Sequence, residues 1–231
     1  MSDQFIPIKL PSKCLAYKSV DPTKIKIRTF KGRDQELISE LTLGNVRRQF
    51  IILISNVLEG IKAEELTSGD AKYIMLWEAI NSYSPTYPVK VVCDGCEHEI
   101  RIEANLKEVE SVELPDDFKQ PMLVTLSDGK VLSLRMLTLA DEVSALDFAS
   151  KGKSPYLYTY AMTIIDDKLD ILAKIRMLEE LSVKDLNIIE KWHIDNEHGP
   201  DMVVSYKCPM CNYEGKLELP FRFDKLFSFR R

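Results

Sequence analysis

The sequence predicts an α+β fold: an N-terminal strand and helix pair, then two β-hairpins that each turn at a Cys-x-x-Cys pair, with a largely helical insertion splitting the hairpins. Three observations predict it. The spacing of apolar residues switches repeatedly between a period of two and a period near 3.6. The cysteines stand at 14, 93, 96, 208 and 211, so four of the five form two short pairs. The chain has 231 residues, 45% of them hydrophobic and 29% charged, enough for a sizeable core in one large domain or two small ones.

Residues 1–30 read as extended. From Lys24 to Phe30 polar and apolar residues alternate, as in a half-buried strand. The period then changes. Val46, Phe50, Leu53, Ile54, Val57 and Leu58 fall on one helical stripe, with Gly60 where a helix stop is expected. Thr67 to Asp70 has the form of an N-terminal cap, opening a helix with Tyr73, Ile74, Trp77 and Ile80 on one face. Residues 87–92 and 99–103 return to period two and flank the first cysteine pair as a hairpin. A second hairpin runs from Met122 to Arg135 with an Asp128-Gly129 turn. Residues 138–198 are mostly helical, with box-like starts at Thr138 and Ser182. Their stripes are Leu157, Ala161, Ile164, Ile165; then Ile171, Ile175, Leu178; then Leu186, Ile189, Trp192. Gly199-Pro200 ends that block, and residues 202–206 and 216–219 flank the second cysteine pair. No internal repeat of helical units is visible, although the two cysteine hairpins resemble each other.

This divides the chain into residues 1–84 (strand plus helices), 85–105 with 201–220 (the two hairpins), 106–200 (the insertion) and an aromatic, basic tail at 221–231. Each cysteine hairpin is strand, Cys-x-x-Cys knuckle, strand. A tight knuckle lets both sulfurs face one ion, and two knuckles supply the four thiolates that Zn²⁺ takes in structural sites. The expected ligands are Cys93, Cys96, Cys208 and Cys211, holding one Zn²⁺ per chain in a zinc-ribbon-like arrangement. An ordinary ribbon places ~15–20 residues between its pairs. The much longer separation here is what an inserted helical domain produces. Four thiolates leave no open position, so the metal is expected to be structural. Separate or metal-free pairs and a redox pair are the other readings. A redox pair, however, opens a helix beside a βαβ pattern, and neither pair does so.

Other features exclude more than they suggest. Lys plus Arg is 31 and Asp plus Glu is 36, a net charge of −5, which disfavours a dedicated duplex-DNA binder. No apolar run is long enough to span a bilayer and no signal peptide is visible, so together with the odd, paired cysteines a reducing cytoplasm is expected. There is no Gly-rich phosphate loop, no G-x-S-x-G and no H-E-x-x-H, so no active site is expected and no catalytic residue is assigned. Cys14 reads as a buried small apolar residue. His193 and His198 read as helix-end residues, capping or solvated. His98 reads as exposed or as a hydrogen-bond donor to a cysteine sulfur. Asp166, Asp167 and Asp170 read as a turn and helix cap.

The tail has two readings. Phe221, Phe223, Phe227 and Phe229 with Arg222, Arg230 and Arg231 either pack the phenylalanines on the core or form an aromatic anchor for a partner. In the second reading the partner-binding residues are Phe221, Phe223, Phe227, Phe229, Arg230 and Arg231. The order of parts also matters: an alternating strand running into an acidic-basic helix over Ile25 to Ile38, an amphipathic helix pair, a Cys-x-x-Cys hairpin, a helical middle and a late Cys208-Pro-Met-Cys211 hairpin before a short aromatic tail. In this order the chain resembles the baseplate hub assembly proteins of T-even-like contractile-tailed bacteriophages. It departs from them at the first knuckle, Cys93-Asp-Gly-Cys96-Glu, where such proteins often have Pro after the first Cys and Gly after the second. The resemblance implies a non-enzymatic tail protein, or assembly chaperone, of the central baseplate hub. Its partners would be hub or tape-measure proteins, met in the host cytoplasm during assembly or in the virion tail baseplate, with no membrane contact. A zinc-ribbon nucleic-acid or transcription accessory module is the alternative, opposed by the acidic balance.

Overall fold

The computed structural model describes residues 4–40, 46–152, 154–220 and 226–227. Three two-residue strands, β1 (Ile6–Pro7), β2 (Lys26–Ile27) and β3 (Leu58–Glu59), form an antiparallel sheet with β2 in the middle. The expected alternation is present, with Ile25 and Ile27 buried. The ladder is nevertheless much shorter than the alternating segment, because the chain leaves it at Arg28. That guanidinium is 2% exposed and forks onto Asp34 at 2.7 and 3.2 Å. Asp34 also accepts from the Lys31 backbone N–H at 2.8 Å, closing the start of α1 (Gly32–Ser39).

In α2 (Val46–Val57) Phe50, Leu53, Ile54 and Val57 are buried as one stripe. Leu58 does not continue it; it opens β3, and Gly60 turns beyond it at φ +95°. The Thr67 hydroxyl caps α3 (Ser68–Glu78), which runs on into a π-helical turn at Ala79–Tyr83. The first cysteine hairpin is β4 (Thr86–Val92) with β5 (Glu99–Asn105), followed by β6 (Glu110–Val112). The hairpin of β7 (Met122–Thr125) and β8 (Val131–Leu134) turns where Asp128-Gly129 predicts, with Gly129 at φ +85°. Four helices follow: α4 (Leu139–Ala149), α5 (Pro155–Thr163), α6 (Ile171–Glu179) and α7 (Val183–Asp195). Thr138 and Ser182 cap α4 and α7, and Asp170 caps α6. The α5 stripe stops early, since Ile164 is extended and bridges Leu134.

β9 (Gly199–Asp201) pairs with β6, a contact not foreseen from a Gly-Pro stop signal. It is possible because two glycines let backbones touch. A Cβ on Gly69 would lie 2.2 Å from the His198 carbonyl oxygen, and one on Gly199 would lie 2.6 Å from that of Gly69. The second cysteine hairpin is β10 (Val203–Lys207) with β11 (Glu214–Glu218).

A first apolar core joins the N-terminal strands, α2 and α3 to both cysteine hairpins through Tyr87, Ala104, Val204 and Leu219. A second is built around Leu134, Ile164, Leu178, Ile189 and Trp192 within the insertion. The two halves are also more alike than the sequence suggests. The Arg28–Asp34 fork recurs as Arg135–Asp141 at 2.5 and 2.9 Å, again six residues apart and again at a helix start. The apolar spacing shows no repeat of helical units, yet this side-chain network recurs.

Two further expectations need correction. Phe227 is 2% exposed and packs against the rings of Phe30 and Tyr83 at 5.7 and 5.4 Å, so it is a core residue and not a free anchor. Phe221, Phe223, Phe229, Arg230 and Arg231 lie outside the described residues. The histidines are not solvated caps. His198 is buried and its Nε2 lies 2.7 Å from Thr67 Oγ1, while His193 Nε2 lies 3.2 Å from Thr163 Oγ1. Burial pushes the His193 imidazole down to about 4.

Glu78 generates a pH prediction. It is fully buried on α3, and its carboxylate accepts from Phe30 N–H at 3.1 Å and Ser82 Oγ at 2.6 Å. Burial pushes its pKa from the usual 4.5 up to about 7. The folded state therefore keeps a proton that the unfolded state loses, and stability falls as pH rises from about 4.5 to 7. Glu78→Gln retains an acceptor and avoids that loss. Urea denaturation is expected to find it about 2–3 kcal/mol more stable than the wild type at pH 8, with the gain gone by pH 4.

Candidate metal centre

The strands of both cysteine hairpins run into loops built alike. Cys93 N–H donates to the His98 carbonyl at 3.0 Å, and Glu97 N–H to the Cys93 carbonyl at 2.7 Å. In the second loop Cys208 N–H donates to Tyr213 at 2.8 Å, and Asn212 N–H to Cys208 at 2.9 Å. The turn must pass through the left-handed region once, and the residue after the second cysteine takes that position: Glu97 at φ 59° and Asn212 at φ 60°. Asn tolerates this conformation, whereas Glu costs roughly 1 kcal/mol there. The unusual first knuckle thus keeps the geometry without the expected glycine. Gly95 serves a different purpose: a Cβ on it would lie 2.8 Å from the Tyr213 side chain, so its bareness admits that ring from the opposite knuckle.

All four candidate sulfurs converge, with every pair within 4.8 Å. Cys93 Sγ is 3.7 Å from Cys211 Sγ, and Cys96 Sγ is 3.8 Å from Cys208 Sγ. Those separations are far longer than a disulfide, and all five cysteines are free thiols. They match the ~3.8 Å edge of a tetrahedron with metal–sulfur bonds of ~2.3 Å. Cys93 and Cys208 are fully buried, Cys96 is half-buried and Cys211 exposed. Backbone N–H groups are aimed at the sulfurs from within each knuckle, Gly95 to Cys93 at 3.3 Å and Met210 to Cys208 at 3.4 Å.

Those donors have an electrostatic effect. Desolvation opposes ionisation of Cys208, but N–H groups of Cys211 and Met210 and the neighbouring thiols outweigh it and hold its pKa at about 6. At Cys211 the Tyr213 N–H lowers the pKa, yet desolvation and the three other sulfurs push it up to about 12. One thiolate forms easily and the next is repelled. A cluster of four ionisable sulfurs in this state fits a divalent cation, which removes the repulsion and satisfies all four.

The other sequence candidates lie apart. Cys14 is buried, and burial raises its thiol to about 11, as an inert residue requires. His98 is exposed and its Nδ1 meets the Cys96 carbonyl at 2.8 Å, not a sulfur. One buried site escaped the sequence reading. Asp70, fully buried, accepts from Ser12 N–H at 2.9 Å and from the Ser12 and Tyr17 hydroxyls, with His198 Nε2 at 3.9 Å. These residues come from three distant parts of the chain, and only the Thr67 cap signalled the position of Asp70.

Two outcomes are expected. Because a half-site of two thiolates binds weakly, Cys96→Ser or Cys211→Ser alone is expected to lose most bound metal and lower the melting temperature; full metal and stability in either variant would separate the pairs into independent sites. Glu97→Gly is expected to raise stability by about 1 kcal/mol in thermal denaturation, with metal content unchanged.

No helix among the described residues is long and apolar enough to cross a membrane. Neither the curated proteins nor the solved structures compared with the chain give a match. The family described as T4 bacteriophage base plate protein matches residues 9–228, a span that takes in both knuckles, the second core and all of the first but Ile8. The chain belongs to that T4 bacteriophage base plate protein family.

Proposed function

We propose that the chain works without catalysis in the assembly or structure of the central baseplate hub, as a scaffold braced by one structural Zn²⁺ held by Cys93, Cys96, Cys208 and Cys211. The match to base plate proteins over residues 9–228 supports the structural baseplate role. The observation that carries the metal reading is the convergence of four sulfurs within 4.8 Å from two ends of the chain. Thiolates at all four tetrahedral positions leave none for water or substrate, so the ion holds strands together and activates nothing.

The organisation follows from this role. The hairpins of 85–105 and 201–220 form the braced centre, with 1–84 and the 106–200 insertion as the bodies it joins. The partners are hub or tape-measure proteins, met in the host cytoplasm during assembly. With Phe227 serving as an internal anchor, Phe221, Phe223, Phe229, Arg230 and Arg231 are the tail residues left to meet a partner. A nucleic-acid role for the ribbon fits less well. Two of its exposed lysines are paired with acids, Lys90 with Glu99 at 2.7 Å and Lys207 with Glu214 at 3.2 Å, and residues 85–105 and 201–220 hold four Lys or Arg against seven Asp or Glu, so the ribbon carries no basic excess.

Elemental analysis of protein purified without chelator is expected to find one Zn per chain. Under about half an equivalent overturns the zinc reading. Mass spectrometry of purified hubs, tails and assembly intermediates is expected to find this polypeptide in at least one of them. Its absence from all three overturns the hub role.

A further inference from the structure

Side-chain networks of the first half recur in the second, in the same order. In each half an Arg Nη1 donates both to the next carbonyl and to an Asp six residues on: Arg28 to Thr29 at 2.9 Å and Asp34 at 2.7 Å, Arg135 to Met136 at 3.0 Å and Asp141 at 2.5 Å. The backbone N–H of each arginine donates to the last residue of a following helix, Val57 at 3.0 Å and Thr163 at 2.9 Å. A serine then latches the carboxylate of an Asp 58 residues later through its own N–H, Ser12 to Asp70 at 2.9 Å and Ser127 to Asp185 at 2.7 Å, and in both cases its hydroxyl reaches the other carboxylate oxygen. Each latched Asp lies in the first turn of a helix capped three residues earlier, by Thr67 or Ser182. Each of those helices ends with an Asn side chain on a Trp carbonyl at 2.7 Å, Asn81 on Trp77 and Asn196 on Trp192.

Most of the spacings agree. Ser12 and Ser127, Asp70 and Asp185, Trp77 and Trp192, and Asn81 and Asn196 stand 115 positions apart (127 − 12 = 115), and so do Cys93 and Cys208, and Cys96 and Cys211. The Arg–Asp forks stand 107 apart (135 − 28 = 107). The difference comes from a longer β1–β2 connection in the first half, made up in the second by α6, whose counterpart is the short turn Ala63–Glu65. One Arg–Asp fork is common in proteins. Four unrelated networks in one order, two of them and both knuckles at a spacing of 115, are not demanded by any packing rule.

The sulfurs carry the same symmetry. Exchanging the halves converts the Cys93–Cys211 contact into the Cys208–Cys96 contact, and these measure 3.7 and 3.8 Å. The bodies, however, have diverged. Met75 and Leu76 on α3 and Ala79 at the start of its π-helical continuation are buried in the core that also takes Val204 and Leu219 from the second hairpin. Their counterparts on α7 are Glu190, Lys191 and Ile194, the last 64% exposed. Both hairpin arms therefore lean on the first body, and α7 has been left a polar face.

We infer that the chain is a tandem duplication of one unit, and that the four-cysteine cluster is the joint between the copies: each copy donates one knuckle, and the metal fastens the arm of the second copy onto the body of the first. This rests on the metal reading above. It makes the cluster an internal dimer interface, and the apolar surface around Met202, Val204 and Leu219 is what the fastener keeps covered.

Two experiments on the full chain test it. Hydrogen exchange with bound Zn²⁺ and after removal by EDTA is expected to show exchange in 86–105 and 203–218 rising roughly tenfold or more on removal, while α5 and α7 keep their protection. A chain with residues 93–98 and 208–213 exchanged is expected to retain one Zn per chain, because the symmetry returns the Gly–Tyr contact to the same place. Loss of metal from the exchanged chain alone overturns the equivalence of the copies. Zinc bound with equal protection of the arms in the metal-free chain overturns the fastener. A wild-type chain that takes up no zinc overturns the metal reading itself.

Discussion

Four cysteine sulfurs within 4.8 Å of one another, brought from positions 93–96 and 208–211, set the constraint that the rest of the chain satisfies. Two hairpins distant in sequence must end side by side with their knuckles facing. Their strands must therefore share a platform, and the first core, to which α3 belongs, supplies it: Tyr87, Ala104, Val204 and Leu219 all enter it. That helix is buried nearly all round, with Ala71, Ile74, Met75 and Glu78 at 0% exposure. A helix so apolar is unsuited to a surface. It is explained by its packing against α2 and β9 inside that core, and the buried carboxyl of Glu78 is tolerated there because burial keeps it protonated to about pH 7.

Much of this was legible in the sequence, for definite reasons. Cysteine spacing is discrete, so the four cysteines that converge stood out as a group without any structural knowledge. Caps at Thr67, Thr138, Ser182 and Asp170 were readable because a short polar side chain at a helix start has few other reasons to precede an apolar stripe. What failed to show were features made of distant pairs. The β6–β9 pairing depends on Gly69 and Gly199 meeting across the fold. The Ser12–Asp70 latch depends on residues 58 apart. The likeness of the halves was hidden because Arg, Asp, Ser, Trp and Asn recur while the apolar positions between them drift. Periodicity arguments read only the drifting part.

The histidines and the tail teach the same lesson from the other side. His198 and Phe227 were read from local context, as a helix-end residue and part of an amphiphilic strip. Both are buried by segments far away in sequence, His198 by the start of α3 and Phe227 by Phe30 and Tyr83. For a base plate protein this internal tying matters. A part that meets neighbours in a large assembly must present fixed surfaces, and long-range side-chain contacts of this kind help to provide them.

The central claim is that one ion sits among the four thiolates and joins the two ends of the chain. X-ray absorption at the zinc edge of the purified full chain tests it most directly. The account predicts a single shell of four sulfur scatterers at ~2.3 Å. A shell containing nitrogen or oxygen, or fewer than four sulfurs, would contradict it.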